Sequence, residues 1–232
     1  MKKKFIPLLS LPLIILIGIG MAAVSYIDNS GNTTVNRAYN GHHNGDDDIC
    51  VKKPAIYLYP IEDGSKITVE LDIDGLYTKL DPVFNLKSGW QVNADTDGTI
   101  HYKGKEYEYL FWEGELDMDY SFEEGFCVEG ENTEAFLREN LSKLGLNEKE
   151  TEDFIDYWLP QMKDNNYNVI SFMSDEYTDH VRMNISPKPA TNIRVLMCWY
   201  GSDEKVEIAE QAIETPSRQG FTLVEWGGCE VK

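Results

Sequence analysis

Basic residues are what this chain most lacks. Lysine and arginine number 21 against 40 aspartates and glutamates, leaving a formal charge of −19 over 232 residues. A surface of that sign repels phosphodiester backbones, which excludes nucleic acid as a partner and disfavours anionic lipid headgroups. Histidine is scarce too, with four residues, scattered apart from His42 and His43. No Cys-x-x-Cys and no His-Glu-x-x-His occurs, which removes the common zinc sites. Gly-x-Ser-x-Gly, the P-loop and the dinucleotide fingerprint are missing as well, and several nucleophilic and phosphate-binding chemistries go with them. The sequence implies no cofactor.

What is present begins with a leader. Lys2, Lys3 and Lys4 precede an apolar run from Phe5 to Ile27, the order of a secretory signal. Gly20, Ala22, Ala23 and Ser25 are small enough for cleavage after Ala22 or Ser25. About 20 apolar residues also suffice to span a bilayer, so residues 1–27 read equally as an uncleaved anchor touching the membrane. In either case the lysines stay inside and the rest is exported, extracellular or held at the outer side of the cytoplasmic membrane. Residues 28–49, rich in Asn, Gly and Asp, have little to bury and read as a disordered polar tether. Residues 50–232 then make a single extracellular domain. Its cysteines, Cys50, Cys127, Cys198 and Cys229, form an even set with three possible disulfide pairings. Joining Cys50 to Cys229 would tie the two ends of the domain, while Cys198 reads equally as a buried thiol.

Within the domain, "AIYLYP" reads as a buried strand and "KITVELDID" as a half-exposed one, with Ile67, Val69, Leu71 and Ile73 on one face. "GWQVNAD", the turn "DTDGT" and the strand "EYEYLFW" continue an antiparallel meander. Leu137, Leu141 and Leu144 recur at helical spacing after a cap at Asn132 or Thr133, and Gly145 ends that helix. Asn147 and Glu150 form a capping box for a second helix, expected to stop before Pro160. Strands resume in "VISFM", "HVRMNIS", "NIRVLMCWY" and "FTLVEW". This order predicts an α+β fold, an antiparallel meander or sandwich-like sheet with an inserted antiparallel helical hairpin.

Chemistry is harder to find. Glu113 and Glu225 each adjoin a tryptophan, Trp112 and Trp226. Glycosidases use two carboxylates about 5–10 Å apart, one raised by apolar surroundings, so the pair is a candidate acid and base. Trp112 and Trp226 are candidate stacking surfaces for sugars. Against this stands strand alternation, which turns a glutamate outward when its neighbouring tryptophan turns in. Asn93, Asp95 and Asp97 with Gly98 match the first half of a calcium loop, but its twelfth position is Gly104 rather than glutamate, and an ordinary turn explains them. Asp175 and Glu176 sit in "SDEYTDH", which carries no helix signal, reads as a solvated loop, and would contribute only accessory ligand contacts.

Taken in order, "KPAIYLYP", "YLFWEG", "LGLNEKETEDFIDYWLPQM", "NNYNVISF" and "FTLVEWGG" resemble a family of uncharacterised secreted or surface proteins of bacteria and fungi. The likeness runs from about Cys50 to the end. It implies one extracellular domain and carries over no activity or catalytic residue. The leading expectation is therefore an exported, non-catalytic binding module for a surface protein or polysaccharide. The alternatives are an acid-base hydrolase using Glu113 and Glu225, and a membrane-tethered spacer.

Overall fold

The computed structural model describes residues 49–85 and 87–231, and before them only the backbone of two paired antiparallel strands, β1 (Ala23–Ile27) and β2 (Thr33–Arg37). The expected leader and tether otherwise lie outside the described residues. In chain order there follow β3 (Ile49–Tyr59), β4 (Ser65–Ile73), β5 (Gly75–Asp81), β6 (Trp90–Ala94), β7 (Ile100–Tyr102), β8 (Lys105–Tyr107), β9 (Leu110–Leu116) and β10 (Glu124–Glu129). Then come α1 (Thr133–Lys143), α2 (Glu148–Met162), β11 (Tyr167–Phe172), α3 (Ser174–His180), β12 (Val181–Ser186), β13 (Thr191–Ser202), β14 (Ala209–Glu210) and β15 (Thr222–Glu230).

The fold is α+β. Eight strands form one sheet in the order β14-β10-β11-β13-β15-β3-β9-β5, and five form a second, β12-β4-β6-β7-β8. Pairing is antiparallel except for β13 with β15 and β10 with β14. Period-two alternation divides the large sheet into two apolar faces. Ile56, Leu58, Trp112, Leu196 and Leu223 share one core with Ile67, Val69, Trp90 and Val92 of the small sheet. Tyr57, Ile170, Val195, Met197, Val224 and Trp226 face the other way, against Leu137 and Leu141 of α1 and Phe154, Trp158 and Met162 of α2. Each such side chain contributes about 1.5–3 kcal/mol by leaving water, so both faces are needed to hold the layers. Among the described residues, no buried side chain of β5 or β9 belongs to the helix-side core. Those two strands run past the helices.

Three local expectations change. "EYEYLFW" is two strands, β8 and β9, because the chain passes from the small sheet to the large one at Glu108 and Tyr109. Helix α2 continues through Pro160 to Met162, whose fully buried side chain holds the last turn down while Pro160 stays exposed. "SDEYTDH" is helix α3 rather than a loop. Its one anchor is Tyr177, fully buried, and a single apolar position in seven residues leaves no periodic trace in the sequence.

The most consequential backbone feature is Pro54. It lies in β3, which has β15 on one side and β9 on the other, yet proline has no N–H to give the ladder. The strand bulges instead, and register shifts on both flanks, between Trp226 and Gly228 and between Val51 and Ala55. The glycine pair following Trp226 makes room for this. A Cβ on Gly227 would lie 3.0 Å from Pro54 Cγ, and one on Gly228 would lie 2.6 Å from Trp158 Cζ2 on α2. Gly228 thus sets how closely α2 approaches the sheet. Gly228→Ala is expected to destabilise the protein by about 1–3 kcal/mol, the usual cost of overpacking. Urea denaturation checks this; a change under about 0.5 kcal/mol, the size of an ordinary surface substitution, would refute the close-packing argument.

Candidate ligand-binding cleft

The two glutamates singled out by sequence do not meet. Glu225 points between the two sheets and is fully buried. Its Oε1 accepts from Trp112 Nε1 at 2.9 Å, and its Oε2 accepts from Arg194 Nε at 2.8 Å. Arg194 also donates to the Val181 carbonyl at 2.6 Å and lies 4.9 Å from the Tyr177 ring centroid. Burial works against the Arg194 charge, but Glu225 and Tyr177 outweigh it and hold the guanidinium pKa above its ordinary value. Burial, reinforced by Glu225, pushes the Tyr177 phenol well up. This is an ion pair sealed in a core, with no route for a substrate.

Because Trp112 turns inward to Glu225, Glu113 must emerge on the opposite face of the sheet. The paired-carboxylate geometry of a glycosidase is therefore not formed by Glu113 and Glu225. The tryptophans fail as ligand platforms for the same reason: Trp112 and Trp226 are both fully buried and offer no face to a ligand.

Glu113 instead lines a cleft of about 430 Å³, within the range of small-molecule sites. The cleft lies where β5 and β9 pass beyond the helices. β9 supplies Phe111 and Glu113, the approach to it supplies Tyr107, Glu108 and Tyr109, β5 supplies Lys79 and Asp81, and α2 supplies Tyr157. The ninth residue is Lys53, at the β3 bulge. Its backbone takes φ +59°, the left-handed region that a side chain disfavours, directly before Pro54. The bulge re-aims its side chain. Lys53 Nζ donates to Tyr109 Oη at 2.7 Å and lies 4.4, 4.9 and 5.9 Å from the ring centroids of Tyr109, Phe111 and Tyr157. Lys79 Nζ lies 4.8 Å from the Phe111 ring centroid. The sequence reading missed Lys53, Lys79, Tyr109 and Tyr157. "KKP" in an otherwise apolar strand was the available signal, since a proline there demands a bulge.

A second layer fixes the walls. Tyr57 donates to Asp153 Oδ2 at 2.9 Å, with its ring 5.4 Å from that of Tyr109. Burial first, and Asp153 second, push the Tyr57 phenol far up, so it remains a neutral donor. Lys149 bridges Glu108 and Asp153, at 2.8 Å to each, and thereby commits Glu108.

The remaining sequence candidates have local explanations. Asn93 is an exposed residue of β6. Asp95 accepts from the Gly64 N–H and from His101 Nε2, each at 2.7 Å, while Asp97 accepts from the Thr99 N–H at 2.9 Å. Thr96 donates its N–H and hydroxyl to Asp63. Two turns interlock through their own carboxylates. Asp175 and Glu176 are exposed on α3, and Glu176 joins Asp74, Asp117, Asp119, Asp179 and His180 around an acidic pocket. Among the described residues, no three His, Cys, Asp or Glu side chains are grouped to hold a metal ion. Cys50 is exposed, Cys127 half-buried, Cys198 and Cys229 buried, and all four are free thiols. Cys198 and Cys229 are register partners on β13 and β15. No described helix is long and apolar enough to cross a membrane.

Over 63 residues the chain is 51% identical to a Butyrivibrio fibrisolvens protein described as an uncharacterized protein in bglA 3'region. The match covers 27% of this chain and 66% of that relative, just under two thirds of its length. No protein-family model and no solved structure matches the chain.

Two measurements test these assignments. Removing one partner of the buried ion pair, as in Arg194→Met, should cost about 3–5 kcal/mol by strandng the Glu225 charge, and the double change with Glu225→Leu should cost less than the sum. Additive denaturation energies would contradict the coupling. The hydrogen bond to Asp95 raises His101 above its ordinary 6.5, and the bonds from His101 and the Gly64 N–H hold Asp95 below its ordinary 3.8. Stability from His101 is therefore complete below pH ~6.5 and fades as pH rises through its higher folded value, while that from Asp95 fades only as pH falls below about 4. NMR titration should give His101 a pKa above 6.5 that drops in Asp95→Asn; an unchanged value would exclude the bond.

Proposed function

We propose that this chain is an exported, non-catalytic binding module that holds a saccharide in the cleft on β3, β5 and β9. One observation carries the reading: among the described residues, the cleft sets aromatic rings beside donors and acceptors that the protein leaves at least partly unused. Sugars present apolar ring faces together with hydroxyls, so they need stacking surfaces and polar groups of both kinds. The half-buried Tyr107, Tyr109 and Tyr157 supply the rings, Lys53 and Lys79 the donors, and Asp81 and Glu113 the acceptors, while Phe111 forms the buried floor. The export half of the proposal rests on Lys2–Lys4 and the apolar run to Ile27, and the likeness to secreted and surface proteins points the same way. We read α1 and α2 as an antiparallel hairpin inserted between the paired strands β10 and β11 of a sandwich-like fold. Its part in the site is to bring Tyr157 to the cleft wall.

The test is a glycan array followed by calorimetry on any hit. Tyr109→Ala or Tyr157→Ala should weaken binding by roughly tenfold or more, the worth of a stacked ring of about 1–3 kcal/mol, while Trp226→Phe, on the buried helix side, should leave affinity unchanged in the folded protein. Absence of any glycan ligand would favour the spacer. Release of reducing ends from a bound glycan would overturn the non-catalytic assignment.

A further inference from the structure

Among the described residues, neither Lys53 nor Lys79 lies within ion-pair distance of a carboxylate, in a chain carrying a charge of −19. That is unexpected at Lys79, whose direct cross-strand partner is Glu113. Both ammoniums instead lie near the Phe111 ring, at 4.9 and 4.8 Å from its centroid. Lys53 is half-buried, and among the described residues only one of its three N–H donors has a protein acceptor, the Tyr109 hydroxyl. A partly dehydrated cation with donors to spare is a poor match for a wholly neutral ligand and a good one for a carboxylate, which accepts charge-assisted hydrogen bonds. The carboxylates around it do not cancel this. Glu108 is taken by Lys149, Asp81 is exposed at the end of β5, and Glu113 faces Lys79 rather than Lys53.

Resting on the saccharide reading above, we infer that the cleft selects a carboxylate-bearing sugar, a uronic acid unit of an oligosaccharide. Its ring packs on Tyr109 and Tyr157, its carboxylate meets Lys53 and Lys79, and its hydroxyls donate to Glu113. Lys53 is then the residue that sets specificity. Its left-handed backbone, disfavoured for any side chain, accompanies the bulge at Pro54 that aims the ammonium into the cleft.

The experiment titrates the protein with oligouronates of galacturonic, glucuronic and mannuronic acid, each beside its methyl ester, which keeps the sugar and removes the charge. At least one acid form should bind roughly tenfold or more tightly than its ester, the worth of a charge-assisted hydrogen bond. Lys53→Gly should abolish that preference. It should not lower the melting temperature, because glycine suits the backbone at φ +59°. This separates lost recognition from lost folding. Esters that bind as well as acids would overturn the inference and leave the saccharide reading standing. Binding of neither form, with no other glycan bound, would overturn both. Equal binding of poly-glutamate would show a site for acidic protein segments and also overturn it.

Discussion

A buried carboxylate organises this molecule. Glu225 has no access to water, and an ion so placed is tolerable only with its charge and lone pairs met. Arg194 comes from the parallel neighbour β13, Trp112 from β9 two strands away, and Arg194 in turn holds the Val181 carbonyl where α3 passes into β12. One ion pair therefore fixes three strands of the large sheet and one edge of the small one. Hydrophobic burial supplies most of the stabilisation but is non-directional. The directional demand of Glu225 settles which face of β9 turns inward.

The cleft follows from that choice. With Trp112 committed to the core, strand geometry leaves Phe111 and Glu113 no option but the helix-side face. Among the described residues, no buried side chain of β9 joins the helix-side core, so the same seven residues serve a core on one face and line a cleft on the other. Pro54 then contributes what regular strands cannot. An uninterrupted β3 would continue its alternation past β9; the bulge breaks it and swings Lys53 over the aromatic rings. Gly227 makes room for the proline, and Gly228 admits Trp158 and with it the helix that carries Tyr157. "KKP" and "WGG" lie far apart in the chain and act as one device.

The fold was largely legible because its signals are local. Alternation in "KITVELDID", the Asn147–Glu150 box and Gly145 at φ +91° each state their conformation within a few residues. The strand β5 was not, since "GLYTKLD" has apolar residues at 76, 77 and 80, and a bulge near Thr78 brings Tyr77 and Leu80 to one face only in the folded sheet. The site was legible in one residue of nine. Tryptophan drew attention as the obvious sugar platform, yet the largest ring is also the one a core most readily absorbs, and all five tryptophans are buried here. The exposed aromatic work falls to tyrosines, whose hydroxyls are satisfied at a wet surface. No local pattern marks which tyrosines converge, because the elements that carry Lys53, Lys79, Tyr109 and Tyr157 meet only through sheet order.

An acidic chain whose cleft holds two lysines with no ion pair among the described residues sets charge against itself, and the scales differ. The field of −19 charges acts at long range and is screened beyond about 8–10 Å at physiological salt. The two ammoniums act at contact distance, beside rings that exclude water and so raise the strength of each interaction. A polyanion would therefore approach slowly and be held firmly once in place. Added salt would shield the approach more than the bound contact, so such a ligand would associate faster as ionic strength rises, the reverse of an ordinary steered encounter. A basic surface could not make that distinction, since it would collect every polyanion alike. On this chain a ligand that fits the cleft meets two ammoniums beside aromatic rings, and acidity elsewhere becomes part of the selection.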